Sequence, residues 1–185
     1  LFVQTPEGLT SRFNLTVKTR TEAVRIDRQK RTVTLRDLQS GEEREQGYDY
    51  LVLSPGAEPI RPPVEGIDLP GVFALRNVPD LDRIMGFLSE RKVERAVVVG
   101  SGYIGVEVAE NLVHRGVGVT IVEKLPQVVP FLDVEMSAFL ANELALHGVG
   151  LRLGTGLQAI AKAGQGLKVH LGSGEALEAD LGIMA

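Results

Sequence analysis

Cysteine is absent from the 185 residues, and so is tryptophan. The first absence excludes disulfides, thiolate zinc sites and any cysteine nucleophile or redox pair supplied by this chain. The three histidines, His114, His147 and His170, stand far apart with no Cys/His cluster around them. They are therefore expected on surfaces rather than on a metal. No charge of one sign dominates: 20 Lys+Arg face 24 Asp+Glu, a formal −4. The balance is 10 basic to 11 acidic over residues 1–75 and 10 to 13 over residues 76–185. Neither half has the basic surplus that a phosphate backbone needs, so no nucleic-acid partner is expected. Long apolar runs are also missing. The stretches at residues 96–99 and 117–122 are far too short to cross a bilayer, and no membrane partner is expected. No leading segment joins a basic start to an apolar stretch and a small-residue cleavage site, so a cytoplasmic location is the expectation.

What is present is a hydrophobic fraction of 44%, enough for a sizeable core and too much for general disorder. The two halves are patterned differently. From Asn14 to Ser54 the chain alternates as short strands do, in Leu15-Thr16-Val17-Lys18-Thr19, Ala23-Val24-Arg25-Ile26 and Thr32-Val33-Thr34-Leu35. Turn residues separate these runs. Tyr48-Asp49-Tyr50-Leu51-Val52-Leu53 is more continuously apolar, as a strand covered on both faces would be, and it runs into the turn Ser54-Pro55-Gly56. Pro59, Pro62, Pro63, Gly66, Pro70 and Gly71 then make a stiff connector, read as a domain boundary.

Beyond it, strand and helix alternate. Asn77 is placed as a helix cap with Pro79 in the first turn, and Leu81, Ile84, Met85 and Leu88 follow at helical spacing. A β-branched strand at residues 96–99 leads to a helix over 103–115, with Ile104, Val108 and Leu112 on one face. A strand over 117–123 and a helix over 133–147 come next, the latter with Met136, Leu140 and Leu144 in register and Gly148 at its end. Shorter strands are expected at 150–153, 157–161, 167–171 and 180–184. The fold class is α/β, with a parallel sheet and a β-meander.

The strongest signal is Gly100-Ser101-Gly102-Tyr103-Ile104-Gly105. A bare GxGxxG is weak evidence, but this one follows a buried-type strand and opens an amphipathic helix. A second strand then ends in an acid, the whole unit spanning 29 residues from Arg95 to Glu123, as in a Rossmann-like NAD(P)-binding domain. Gly100 would permit the tight turn, Gly102 the approach of a pyrophosphate, and Gly105 close packing of helix on strand. Backbone N–H groups and the helix dipole would hold the anion, with the Ser101 hydroxyl uninvolved. Glu123, 18 positions after Gly105, is placed to accept from the adenine-ribose hydroxyls and repel a 2′-phosphate, favouring NAD(H) over NADP(H). Lys124 beside it blurs that preference, since a cation can receive a 2′-phosphate.

Gly102-Tyr103-Ile104-Gly105-Val106-Glu107 resembles the NAD(P)H-binding domain of the FAD-dependent pyridine nucleotide–disulfide oxidoreductases, most closely the coenzyme A-disulfide reductase and NADH oxidase branch. Residues 48–59, 66–73 and 179–185 look like that family's handover strand, connector and returning strand. The likeness spans essentially the whole chain, although Ser54-Pro55-Gly56 stands where the family has Ala-Thr-Gly. The resemblance implies residues 1–74 as the trailing, mainly β portion of an FAD domain plus connector, and residues 75–185 as the NAD(H) domain. It implies an internal piece of a longer protein, because the family's FAD fingerprint, redox cysteine and dimerisation region do not appear.

By the same resemblance Tyr103 would lie over the flavin and swing aside for the nicotinamide. Glu107 would orient the carboxamide, and Gly56 would approach FAD. In the intact protein NADH would reduce FAD, which would then reduce a disulfide, persulfide or oxygen, with a homodimer mate as partner. FAD is expected in the intact protein only, and the chain alone is expected to be inactive. Two rivals stand beside this reading: a ferredoxin- or rubredoxin-reductase type of electron-transfer flavoprotein, and a non-catalytic NAD-sensing module.

Overall fold

The computed structural model describes residues 4–59 and 61–185; residues 1–3 and 60 of the expected FAD-domain portion and connector lie outside them. The chain divides into two compact units, Leu1–Gly56 and Ala57–Ala185.

The first unit begins with helix α1 (Pro6–Phe13), which the strand-like alternation did not foretell. Its signal is local: Thr5 caps it by accepting the Gly8 N–H, and Pro6 opens the first turn. Strands β1 (Thr21–Asp27), β2 (Thr32–Asp37) and β3 (Glu43–Gly47) then form an antiparallel sheet in sequence order. Each hairpin turn is built by an aspartate. Asp27 accepts from the Gln29 and Lys30 N–H groups, and Asp37 from those of Gln39 and Ser40.

Two expected strands do not form. Residues 14–18 are irregular, with Leu15 and Val17 exposed, because alternation alone makes no strand without a ladder partner. The apolar run 48–53 forms none either, and Tyr50 is 94% and Val52 86% exposed. A strand apolar on both faces needs cover on both, and among the described residues this unit offers a three-stranded meander and α1, which buries no residue.

The second unit starts with the Pro/Gly segment, and here the division of the chain differs from a boundary after residue 74. The segment is part of this unit's core. The Ile160 N–H donates to Glu65, Ile67 and Leu69 pack into an apolar cluster, and a side chain on Gly66 (φ +82°) would overlap the Ile160 carbonyl. Strand β4 (Val72–Ala74) follows directly.

Helix α2 (Val78–Glu90) is capped as expected: Asn77 accepts the Asp80 N–H, and Asp80 accepts the Asn77 N–H in return. Then come β5 (Arg95–Val99), α3 (Tyr103–His114), β6 (Gly118–Val122), α4 (Val134–Leu146) and β7 (Gly150–Arg152). The meander β8 (Leu157–Ala163), β9 (Gly166–Leu171) and β10 (Ala176–Ala179) leads to β11 (Leu181–Met184). The parallel sheet has the order β4-β11-β5-β6-β7, and the antiparallel one β10-β9-β8.

Alternation along β5 sorts the core. Ala96 and Val98 pack with the helices, while Val97 packs with the meander residues Val169 and Leu171. Burying each such valine is worth about 1.5–3 kcal/mol. Leu112 and Leu144 are buried as expected, but Ile104, Val108 and Met136, expected beside them, are less covered than the residues that follow them. On α3 the buried residues are Gly105, Ala109 and Leu112, with Ile104 and Val108 half-buried. On α4 they are Ser137 and Leu144, and Met136 is 57% exposed. On α3 the backbone lies so close to the end of β5 that a side chain on Gly105 would overlap Gly100, and on α4 the Ser137 hydroxyl donates to the Val128 carbonyl.

Candidate dinucleotide site

β5 is the central strand of the parallel sheet, with β11 on one side and β6 on the other. The connection through α3 goes one way and the neighbour β11 arrives from the other, so β5 ends at a switch point, where α/β sheets bind ligands.

Gly100 leaves β5 at φ +105°, and its N–H donates to the Val122 carbonyl at 2.8 Å. A side chain there would overlap the Ala185 carbonyl, so glycine is required by both conformation and space. A side chain on Gly105 would overlap the Gly100 carbonyl, which is how α3 comes to lie on the strand end. Gly102 is different. It caps α3 at φ −63°, ψ 176°, with no side chain bonded to the cap, and a Cβ on it would meet nothing within 4 Å. The open space lies at the start of a 12-residue helix, whose first N–H groups have no intrahelical acceptor.

Ser101 is fully buried. Its N–H and its hydroxyl both donate to Glu123 Oε2, at 2.9 Å each, and its carbonyl accepts the Val129 N–H at 2.9 Å. Glu123 Oε1 accepts the Leu125 N–H at 2.8 Å. Partial burial pushes the Glu123 carboxyl up, but the donors from Leu125 and Ser101 outweigh it and hold the group below its ordinary value. The Ser101 hydroxyl, expected to be uninvolved, is thus engaged by the carboxylate.

Gly100, Glu123 and Lys124 line a cleft of about 370 Å³ at the strand ends, closed on other sides by Gly156, Leu157 and Met184. Gly156 was not singled out from sequence, although Gly154-Thr155-Gly156 is a local glycine cluster that permits backbone close to the Lys124 stem. Tyr103 is 63% exposed. Ile104 and Glu107 line a separate groove of about 280 Å³ between α2 and α3, together with Asn111 and Arg115. The structure thus gathers Gly100, Ser101, Gly102, Gly105, Glu123 and Lys124, and sets Ile104 and Glu107 on the neighbouring groove. Gly56, at φ +75°, belongs to the first unit. Among the described residues no group of His, Cys, Asp and Glu could hold a metal, and no helix is long and apolar enough to cross a membrane.

A glycine turn between a central parallel strand and a helix, with an acid at the end of the next strand, defines the class of α/β dinucleotide-binding folds. Residues 4–185 match the family model described as pyridine nucleotide-disulphide oxidoreductase, and the chain belongs to that family. It is 36% identical over its whole length to an NADH oxidase of Methanocaldococcus jannaschii, covering 41% of that protein. It is 34% identical over 85% of its length to a coenzyme A disulfide reductase of Staphylococcus aureus, covering 35% of that one. Its structure is similar to that of reduced Bacillus anthracis CoADR-RHD, with 41% identity, a TM-score of 0.88, and coverage of 99% of this chain and 33% of that one. The chain therefore spans about a third to two-fifths of the length of these relatives.

Proposed function

We propose that this chain is the NADH-binding part of an FAD-dependent oxidoreductase. The observation that carries the reading is the open space over Gly102, at the start of α3 and next in sequence to Ser101, which donates to the Glu123 carboxylate. The N–H groups of the first turn of α3 hold the pyrophosphate, which the glycine lets come close. Glu123, kept ionised, accepts from the adenine-ribose hydroxyls and repels a 2′-phosphate, so NADH binds more tightly than NADPH. Similarity to the water-forming NADH oxidase of Lactobacillus brevis bound to NADH supports this, at 30% identity and a TM-score of 0.85 over 98% of the chain and 40% of that one.

When bound, NADH supplies a hydride. The chain's own contribution is placement, with Tyr103 and Glu107 on the first turns of α3 set to shield and orient the nicotinamide ring. In the whole protein the hydride is destined for FAD, near Gly56, and then for a disulfide, persulfide or oxygen, in a homodimer. Calorimetric titration of the chain with NADH and NADPH tests the reading. Tighter NADH binding, lost on Gly102→Val, is expected; no NADH binding would overturn it. The isolated chain is expected to purify colourless, and stoichiometric flavin absorbance would require an FAD site of its own.

A further inference from the structure

Ser101 has three polar groups, and all three are committed to the segment that follows β6. The N–H and hydroxyl go to Glu123 Oε2, and the carbonyl takes the Val129 N–H. Val129 stands at φ +45°, a left-handed conformation that a β-branched residue adopts only where the surroundings hold it. Since Ser101 is fully buried, its hydroxyl has no water to turn to, and the bond to Glu123 is its designated use. The carboxylate is thereby held by donors on both oxygens, Ser101 on Oε2 and Leu125 on Oε1, in one orientation at the wall of the cleft.

We infer that Ser101 is the positioning residue for nucleotide choice, its hydroxyl locking the Glu123 carboxylate in the path of a 2′-phosphate; this rests on the dinucleotide reading above. A carboxylate on a flexible side chain repels a phosphate only weakly, because it can swing into solvent and leave the site to a cation. Lys124 is next in sequence and lines the same cleft. The serine hydroxyl denies Glu123 that escape. Its removal leaves Oε2 with the Ser101 N–H alone and frees the side chain to move.

The consequence separates this role from a structural one. Damage to the turn weakens both nucleotides, whereas release of the carboxylate strengthens NADPH. In Ser101→Ala, NADPH affinity is expected to rise about 3- to 10-fold while NADH affinity changes by less than about twofold. Ser101→Gly removes the same hydroxyl with a different effect on packing and is expected to give the same shift. In a Glu123→Gln background, Ser101→Ala is expected to change the ratio no further.

The test is calorimetric titration of the full chain and these variants with NADH and NADPH, with thermal midpoints as a folding control and Gly102→Val as a site control. An unchanged ratio in folded Ser101→Ala or Ser101→Gly, or a parallel loss of both nucleotides, overturns the inference alone. A parent chain that binds neither nucleotide, or that still binds after Gly102→Val, overturns the dinucleotide site and this inference together.

Discussion

Gly105 lies directly against the carbonyl of Gly100, so that a Cβ on Gly105 would overlap that oxygen and stand 3.1 Å from its carbon. The two glycines, five residues apart, bring the start of α3 onto the end of β5. Neither backbone can yield cheaply, because Gly100 is itself wedged against Ala185 and bonded to Val122. The contact is what aims the helix start at the strand ends.

Gly105→Ala is therefore expected to force α3 away from the strand. Overpacking of this kind costs about 1–3 kcal/mol, a drop of several degrees in the thermal midpoint. Calorimetric unfolding of this variant beside Gly102→Ala checks it, since only the former meets backbone.

Gly102→Val is expected to abolish NADH binding and leave the fold intact. Its φ of −63° suits any residue and its Cβ would stand in open space, so the stability change should stay below about 1 kcal/mol. Titration with NADH and a thermal midpoint decide the matter together. Retained binding would place the nucleotide elsewhere.

Acid should expose Glu123. Its carboxyl is held below the ordinary value of 4.5, so the folded state favours the ionised form. The stability this contributes is fully present above that value and is lost as pH falls through the lower folded value. Thermal midpoints of the parent and Glu123→Gln, measured from neutral pH down through the carboxylate range, are expected to converge on acidification. A constant gap would show that the three donors do not favour the charge.

Val52→Ser removes an apolar side chain from a run that reads like a buried strand. With Val52 86% exposed, the change is expected to shift stability by no more than about 0.5 kcal/mol. A larger loss in the isolated chain would mean that this run is packed.

Local chemistry made much of the second unit readable in advance. Asn77 and Asp80 cap α2 from side chains within one turn, and the β-branched run at β5 followed by three spaced glycines marks a strand, a tight turn and a helix start. These features depend on neighbours in sequence, so sequence contains them. The same holds for α1, whose Thr5-Pro6 start is a local signal just ahead of the alternating stretch that begins at Asn14.

Other features depend on partners distant in the chain. Residues 48–53 have the composition of a doubly covered strand, but composition cannot supply the cover. On α3, a 3.6-residue period selects Ile104 and Val108 as readily as Gly105 and Ala109; only the closeness of the sheet makes the small residues the buried ones. The bond from the Ser101 hydroxyl to Glu123 spans 22 positions. The sequence by itself determined the glycine turn, the helix caps and the acid at the end of β6, because each is a short-range steric or hydrogen-bonding requirement. That Gly105 and Ala109 rather than Ile104 and Val108 are the buried residues of α3, and which way the Glu123 carboxylate is held, only the tertiary structure decided, because those outcomes rest on what the folded chain brings within van der Waals and hydrogen-bond reach.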